Sequence, residues 1–182
     1  MSNLEKYLGV DSIEPTPKKK NDYVKLEDHI VAYWNGIKFL LSLEDEYLLH
    51  LRKFHGHKGH RGCVYFRCTI NGKRYFLHNL IMQPPKGYVV DHVNGDSTDN
   101  RRDNLRLCTP SQNMQNRRGK LAHTLPKGIS YRKDCNKYRA YIGINNKRIN
   151  LGQFSTLEEA VRIRLEAEEK YFGDYRRRED NE

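Results

Sequence analysis

Two Asn-Gly pairs constrain the fold of this chain more than any other feature, because each lies between runs rich in β-branched and aromatic residues. Asn35-Gly36 joins HIVAYW to IKFLLS, and Asn71-Gly72 joins CVYFRCTI to KRYFLHNLI. Asn-Gly is the favoured dipeptide of two-residue hairpin turns, since both residues accept positive φ. The sequence therefore predicts two β-hairpins in the first half of an α+β fold.

The segments around these hairpins predict short helices and strands. Residues 43–54 indicate a helix, and a helix that begins near His78 must end at the proline pair Pro84-Pro85. GYVVDH and NLRLC predict two short strands that flank the turn-rich loop VNGDSTDNRRD. Thr109 can cap the next helix, with Gln112 completing a capping box. This part of the chain is therefore expected to run strand, loop, strand, helix.

A third pattern begins after the basic stretch NRRGK. GISYRK, YRAYIGI and KRINLGQF predict three short strands, and Ser155 with Glu158 predicts the capping box of a closing helix that ends at Gly173. The residues expected to form the packing stripe of this helix are Leu157, Ala160, Ile163, Ala167 and Tyr171. The sequence thus predicts a small three-stranded antiparallel sheet packed on one helix.

The charge of the chain indicates the kind of partner. A net charge of +10 and a pI near 9.4 attract polyanions, so nucleic acid is the first candidate. We find no long apolar run, no strongly amphipathic basic helix and no signal-peptide pattern in the sequence, which argues against a membrane partner. We expect a cytoplasmic or nucleoid-associated protein with small cores, since 37% of the residues are apolar.

The four cysteines form no CxxC pair, so we predict neither disulfides nor a zinc site from them. The run His55, His57, His60 has a spacing that a structural zinc ion could use, but its partner pair is missing. A solvated glycine-rich loop, HGHKGHRG, is the favoured interpretation of this segment.

The most chemically informative residues are Asp91, His92, Asn104 and Asn113. Phosphodiester hydrolysis needs an activated water and a positive centre near the developing charge. Asp91 and Asn113 offer hard oxygen ligands suited to Mg²⁺ or Mn²⁺. His92 could act as general base, with the Asn104 side-chain carbonyl fixing its tautomer. An Asp-His pair alone is more often structural, so the interpretation depends on the whole set.

LHNLI, then VVDHVNGDSTDNRRDNLRL, then TPSQNMQNR resembles the HNH family of homing and phage-encoded endonucleases, over residues 24–118. The resemblance implies a ββα-metal fold in which Asp91 and Asn113 hold the metal, His92 is the general base and Asn104 orients it. It also implies a supporting or phosphate-contacting role for His78. Family members often carry arginine after this upstream histidine, where the present chain has Asn79.

The carboxyl-terminal module is strongly basic. Residues 116–150 hold ten Lys or Arg and one acidic residue, Asp134. On a two-residue period, Tyr138, Ala140, Ile142 and Ile144 share one strand face, and the other face is left to basic residues. The candidate DNA contacts are Arg117, Arg118, Arg132, Lys133, Arg139, Tyr141, Arg148 and Asn150. A solvated sheet face with no partner is the alternative.

GISYRK, YRAYIGI and LGQFSTLEEA also resemble the Apetala/ethylene-response-factor type of DNA-binding domain, over residues 124–173. Tyr138 stands where that family usually has tryptophan. The resemblance implies binding of double-stranded DNA by the sheet.

Together these patterns predict a metal-dependent DNA endonuclease, monomeric and acting as a nickase, in a bacterial or phage-infected cell. A non-enzymatic DNA-binding regulator and an RNA-binding protein are the competing functions. The expected organisation is a flexible tail over 1–22, a nuclease domain over 23–118, a linker over 119–126, a DNA-binding domain over 127–175 and a charged tail over 176–182.

Overall fold

A computed structural model describes residues 3–10, 12–13, 20–59, 62–115, 125–144 and 147–175. The chain divides into two compact units, residues 1–108 and residues 109–182. Most of the predicted linker, residues 119–126, lies outside the described residues, so a boundary there stays a prediction. In the described parts of the chain, no helix is long and apolar enough to cross a lipid bilayer.

The first unit begins with an antiparallel sheet. Strand β1 (Asp22–Lys25) pairs with β2 (His29–Trp34), which pairs with β3 (Ile37–Ser42). Asn35 and Gly36 form the turn between β2 and β3 with φ of 48° and 78°. These are the left-handed values that a two-residue hairpin turn requires, so the first predicted hairpin is confirmed.

The second predicted hairpin is also confirmed, and it gains a third strand. Strands β5 (Val64–Ile70) and β6 (Lys73–Phe76) pair around Asn71-Gly72, and β4 (His55–Lys58) pairs with the other edge of β5. The histidine-rich segment up to Lys58 is therefore a strand and not the expected loop. Gly56 allows this, because a Cβ there would lie 2.6 Å from the Trp34 ring.

Three short helices surround these sheets. Helix α1 spans Asn3–Leu8, α2 spans Glu46–Leu51 after a 3₁₀ helix at Leu43–Asp45, and α3 spans Leu77–Met82. The predicted helix over 43–54 is thus shorter than expected. Helix α3 ends at Gln83, which has φ of 45° and precedes the proline pair, as predicted.

A flexible tail is expected over residues 1–22, and its described residues, 3–10, 12–13 and 20–22, include some that pack on the core. Leu4 and Leu8 of α1 are each only 6% exposed and join the main core, and Asn21 is 5% exposed. Asn21 exchanges hydrogen bonds with the backbone of Phe54, donating at 2.9 Å and accepting at 2.6 Å. Tyr7, Val10 and Ile13 also pack against this core, so several apolar residues hold the described part of this segment.

A third, smaller sheet completes the first unit. Strand β7 (Val89–His92) pairs antiparallel with β9 (Leu105–Cys108), as the sequence predicted. The connection between them contains the two-residue strand β8 (Asp99–Asn100), which pairs in parallel with β3, and a 3₁₀ helix at Arg102–Asn104. Strand pairing between β8 and β3 therefore joins this connection to the sheet of the first hairpin.

The second unit begins with α4 (Pro110–Gln115) and continues with β10 (Ile129–Arg132), β11 (Lys137–Ile144), β12 (Lys147–Phe154) and α5 (Leu157–Phe172). The three strands form one antiparallel sheet in chain order, and α5 packs on it. The predicted capping box of α4 is confirmed: the Thr109 backbone N–H donates to Gln112 Oε1 at 2.8 Å, and Gln112 N–H donates to Thr109 Oγ1 at 3.3 Å.

Two details of α5 correct the sequence analysis. Its N-cap is Thr156 and not Ser155, since Thr156 Oγ1 accepts from the Glu159 N–H at 3.3 Å. Its buried face holds Ala160 and Ala167 as expected, but also Arg164, while Tyr171 is 42% exposed. Arg164 can be buried there because Glu168 forms an ion pair with its guanidinium at 2.8 Å.

Candidate active site

The predicted catalytic pair lies at the end of β7. Asp91 is 7% exposed and His92 is 6% exposed, so both titratable side chains are buried beside the β7–β9 ladder. Asp91 faces Arg106 and His92 faces Leu105 across that ladder. Burial of charged groups is expensive unless they are paired, which indicates that these residues have a purpose beyond solubility.

Asp91 has a cationic partner on the neighbouring strand. Arg106 Nε and Nη2 both donate to Asp91 Oδ2, at 2.9 Å and 2.7 Å. The two side chains retain 17% and 8% of their exposure. The guanidinium thus balances a buried negative charge, as such a site requires.

His92 belongs to an aromatic cluster built from three strands and a helix. The rings of His78 and His92 lie 5.2 Å apart and nearly perpendicular, and Tyr65 lies 5.7 Å from His78 and 6.2 Å from His92. Phe76 stacks on His78 at 5.4 Å. Sequence reasoning missed Tyr65 and Phe76, which come from strands that look purely structural. The cluster restricts how either imidazole can turn.

The ring orientation of His92 is linked to Asn100. Its Nε2 lies 3.4 Å from Asn100 Oδ1, and Asn100 Nδ2 donates to the Thr98 carbonyl at 3.1 Å. Because that second bond fixes which end of the amide is oxygen, His92 Nε2 must be the donor. The tautomer therefore carries its hydrogen on Nε2 and its lone pair on Nδ1.

The predicted orienting residue, Asn104, bonds to the loop itself. Its Oδ1 accepts from the Asn94 N–H at 3.0 Å, and its Nδ2 donates to the Asp99 carbonyl at 2.8 Å. Asn104 is 7% exposed and joins two separate parts of the loop that precedes β9. Its part in orienting His92 stays a prediction.

Burial controls the protonation of both histidines. Burial lowers the pKa of His92, against the raising effects of the Asn100 hydrogen bond and of nearby carboxylates, with Asp91 first among them. Burial, with a smaller contribution from His92, lowers the pKa of His78 to about 3. His78 Nδ1 is buried and has no hydrogen-bond partner among the described residues. Both rings are neutral at pH 7, as a general base must be.

Ion pairs and hydrogen bonds fix the loop that carries these residues. Arg101 donates to both oxygens of Asp99 at 2.8 Å and 2.7 Å, and Arg102 donates to both oxygens of the fully buried Asp45 at 2.9 Å and 2.7 Å. Ser97 Oγ donates to the Val64 carbonyl at 2.9 Å. Two basic residues of the loop, Arg101 and Arg102, thus have structural partners.

The predicted ligands are donors that suit a hard divalent cation. Asp91 supplies a carboxylate, and Asn113, the other predicted ligand, lies on α4 of the second unit. Among the described residues no three His, Cys, Asp or Glu side chains group as a metal site would require. A carboxylate and an amide oxygen are each the kind of donor that Mg²⁺ or Mn²⁺ takes, and they are not the donors of a structural zinc site. His60, the third histidine of the zinc alternative, lies outside the described residues.

The second unit presents a mixed basic and aromatic face, formed by the outward residues of its sheet. Arg148 lies over the Tyr141 ring at 4.2 Å from the centroid, and Arg139 Nε donates to Asn150 Oδ1 at 3.4 Å. Arg132 pairs with Asp134, and Lys133 is exposed in the following turn. We call Arg132, Arg139, Tyr141, Arg148 and Asn150 the outer face. Arg117 and Arg118 lie outside the described residues.

The opposite face of this sheet is apolar, as the two-residue period predicted. Ala140 and Ile142 are fully buried, and Tyr138 and Ile144 pack beside them. A β-bulge between Ala140 and Tyr141 shifts the pairing with β12, so that Asn150 faces Tyr141 while Gly152 faces Ala140. No pattern in the sequence indicates this bulge.

Comparisons with known proteins found one family model and two relatives. Residues 83–115 match the family model described as HNH endonuclease. Protein 3.8 of Escherichia phage T7 is 33% identical over 75 residues, covering 41% of this chain and 62% of that protein. An uncharacterized HNH endonuclease of Acanthamoeba polyphaga mimivirus is 30% identical over 102 residues, covering 55% of this chain and 52% of that protein.

The chain thus spans between about half and three fifths of the length of these relatives. No solved structure shows a significant match. The matched region contains Asp91, His92, Asn104 and Asn113 in the order that the sequence analysis singled out. Residues 83–115, with Asp91 and His92 buried together at the end of β7, are thus similar to the HNH endonuclease model.

Proposed function

We propose that this protein is a metal-dependent DNA endonuclease that hydrolyses phosphodiester bonds, with Mg²⁺ or Mn²⁺ as its cofactor. The observation that carries the proposal is the buried pair Asp91 and His92 inside the region that matches the HNH model. The phage and mimivirus relatives support a phage or mobile-element setting.

His92 is the general base in this proposal. Its hydrogen on Nε2 is directed to Asn100 Oδ1, so Nδ1 is the nitrogen that takes a proton from the attacking water. Burial keeps the imidazole neutral, and the aromatic cluster holds its plane. His78 is neutral too, so it would assist as a hydrogen-bonding group and not as a fixed cation.

Asp91 and Asn113 would hold the metal. When bound, the ion stabilises charge that develops on the phosphate and the leaving oxygen. Asn104 keeps the loop closed behind His92 through its two hydrogen bonds. Each residue of the set therefore has a distinct part: ligand, base or support.

The outer face of the second unit would place the nuclease on double-stranded DNA. Its arginines can contact phosphates, and a sheet face with protruding side chains fits a DNA groove. The resemblance of residues 124–173 to an Apetala-type domain supports the same assignment. One chain carries one candidate site, so a monomer would nick one strand per binding event.

A plasmid assay tests the proposal. Supercoiled DNA is incubated under single-turnover conditions with Mg²⁺, with Mn²⁺ or with EDTA, and nicked and linear products are followed over time. We expect nicking by the parent with either metal, none with EDTA, and a nicked intermediate before any linear product. His50→Ala, which changes an exposed histidine on α2, should cut like the parent.

The parent and His92→Ala must differ in this assay. Equal product from both would remove His92 as the base, and no cutting by either with DNA binding intact would favour the non-enzymatic regulator. Competition between duplex DNA and RNA for binding separates both from an RNA-binding protein.

A further inference from the structure

We infer that Arg106 couples metal binding to DNA binding, by holding the Asp91 carboxylate until a DNA phosphate takes over the guanidinium. The inference rests on the proposed function, since it assigns Asp91 to the metal. Nothing in the matched motif pointed to Arg106, which looks like an ordinary strand residue.

The geometry of the pair is unusual for a strand surface. Two nitrogens of Arg106 converge on one oxygen of Asp91, at 2.9 Å and 2.7 Å, and the Arg106 side chain is only 17% exposed. The guanidinium therefore lies directly against the carboxylate that the metal would use. In such a shielded position, charges interact more strongly than they do in water.

A divalent cation on Asp91 would meet the positive charge of Arg106 within a few ångströms. Repulsion would weaken metal binding for as long as the guanidinium stays in place. Arg106 has a long, flexible side chain on β9, so it can move without a change of backbone.

A DNA phosphate removes the conflict. Mg²⁺ and Mn²⁺ take substrate phosphate oxygens as ligands, so the phosphate would arrive within reach of Arg106. Guanidinium binds phosphate through two parallel hydrogen bonds at least as readily as it binds a carboxylate. Arg106 then neutralises the phosphate and leaves Asp91 to the metal. Because coupling between two ligands is reciprocal, DNA should strengthen metal binding and metal should strengthen DNA binding.

The test is a titration with Mn²⁺ followed by the electron paramagnetic resonance of the free ion. All full-length proteins carry His92→Ala, so that a short DNA duplex stays intact, and duplex without protein gives the background. Each protein is titrated with and without duplex. We compare this parent with Arg106→Gln, which loses the charge but keeps an N–H donor, and with Arg74→Gln, which removes an exposed arginine on β6.

The parent should bind Mn²⁺ roughly tenfold tighter with DNA than without it, inside the ~5–150-fold span of coupled sites. Arg106→Gln should bind about tenfold tighter than the parent without DNA, and it should gain less from the duplex than the parent does, since only direct ligation of the ion by phosphate remains. Arg74→Gln should match the parent. If Arg106→Gln reproduces both parent affinities, the coupling is refuted while the metal site stands.

Two further outcomes are decisive. If the parent binds no more Mn²⁺ than Asp91→Asn, with or without duplex, the metal site itself fails, and with it the proposed function and this inference. If Arg106→Gln does not fold, as judged by Trp34 fluorescence, Arg106→Lys replaces it. Arg106→Lys retains the positive charge, so it should keep the dependence on DNA; loss of that dependence would overturn the inference.

Discussion

The protonation of His78 should make the first unit lose stability in mild acid. Burial lowers the pKa of His78 to about 3, whereas an unfolded histidine titrates near 6.5. The folded ring stays neutral as the pH falls, while the unfolded ring takes up a proton. The free energy of unfolding is therefore undiminished by His78 above pH 6.5, and it falls progressively as the pH falls from 6.5 towards 3.

The size of the effect follows from the two pKa values. Each unit of pH below 6.5 costs about 1.4 kcal/mol until the folded ring also titrates, so His78 alone should lower the free energy of unfolding by about 2 kcal/mol between pH 7.5 and pH 5. His78→Leu removes the titrating group together with its Nδ1, which has no hydrogen-bond partner in the part of the chain that the structure describes. Its free energy of unfolding should fall by about 2 kcal/mol less over the same range.

Urea unfolding followed by fluorescence provides the measurement. Trp34, the single tryptophan, lies on β2 and packs against the core of the first unit, so its emission reports on that unit. His55→Leu, at an exposed position on β4, is the matched control and should keep the parent's pH dependence. If His78→Leu and the parent lose the same free energy between pH 7.5 and pH 5, His78 is not held neutral by burial.

Three further predictions concern cleavage, DNA binding and folding. His92→Ala should slow single-turnover cleavage by ~10²–10⁴-fold with DNA affinity retained. The rate of the parent should fall on the acidic side only below pH 6.5, since burial lowers the pKa of His92. A fall that begins above pH 6.5 would contradict the assignment of His92 as the base. Arg139→Ala combined with Arg148→Ala should weaken DNA binding and flatten the plot of log affinity against log salt by roughly 0.9 for every phosphate that the protein no longer neutralises. An unchanged slope would exclude the outer face from the DNA interface. Gly128→Ala should destabilise the second unit by ~1–3 kcal/mol, because φ is +81° and a Cβ would collide with the Arg164 side chain. Gly143→Ala, where the nearest atom is 4.0 Å away, should cost less, and equal melting temperatures would oppose this reasoning.

The hairpins and the helix caps could be predicted because their causes are local. An Asn-Gly pair dictates its own turn, and Thr109 with Gln112 satisfies its own backbone groups. The end of α3 before Pro84 has an equally local reason. Where the partners lie far apart along the chain, sequence reasoning failed: Gly56 becomes part of a strand because it fits against Trp34, and Leu4 is buried by residues distant in sequence.

The candidate site also combines features with local causes and features that depend on residues far apart in the sequence. Asp91 and His92 are adjacent in the sequence and indicate their own chemistry, but the residues that modify them come from other elements. Arg106 reaches Asp91 across a ladder, and Asn100 reaches His92 because a two-residue strand pairs with β3. Strand register could have suggested the first interaction, whereas no local pattern could have suggested the second.

That two-residue strand has a consequence for the motions of the chain. Leu40 donates its N–H to the Thr98 carbonyl at 2.9 Å, so the connection from Val93 to Asn104 is hydrogen-bonded to the first sheet near its midpoint. Long connections usually exchange their amide hydrogens with solvent through small local openings. Here the amides of Val93 and Asn104, which are both hydrogen-bonded within the loop, should exchange only when the first sheet itself opens. The segment that follows His92 would then share the exchange protection of the core strand β3.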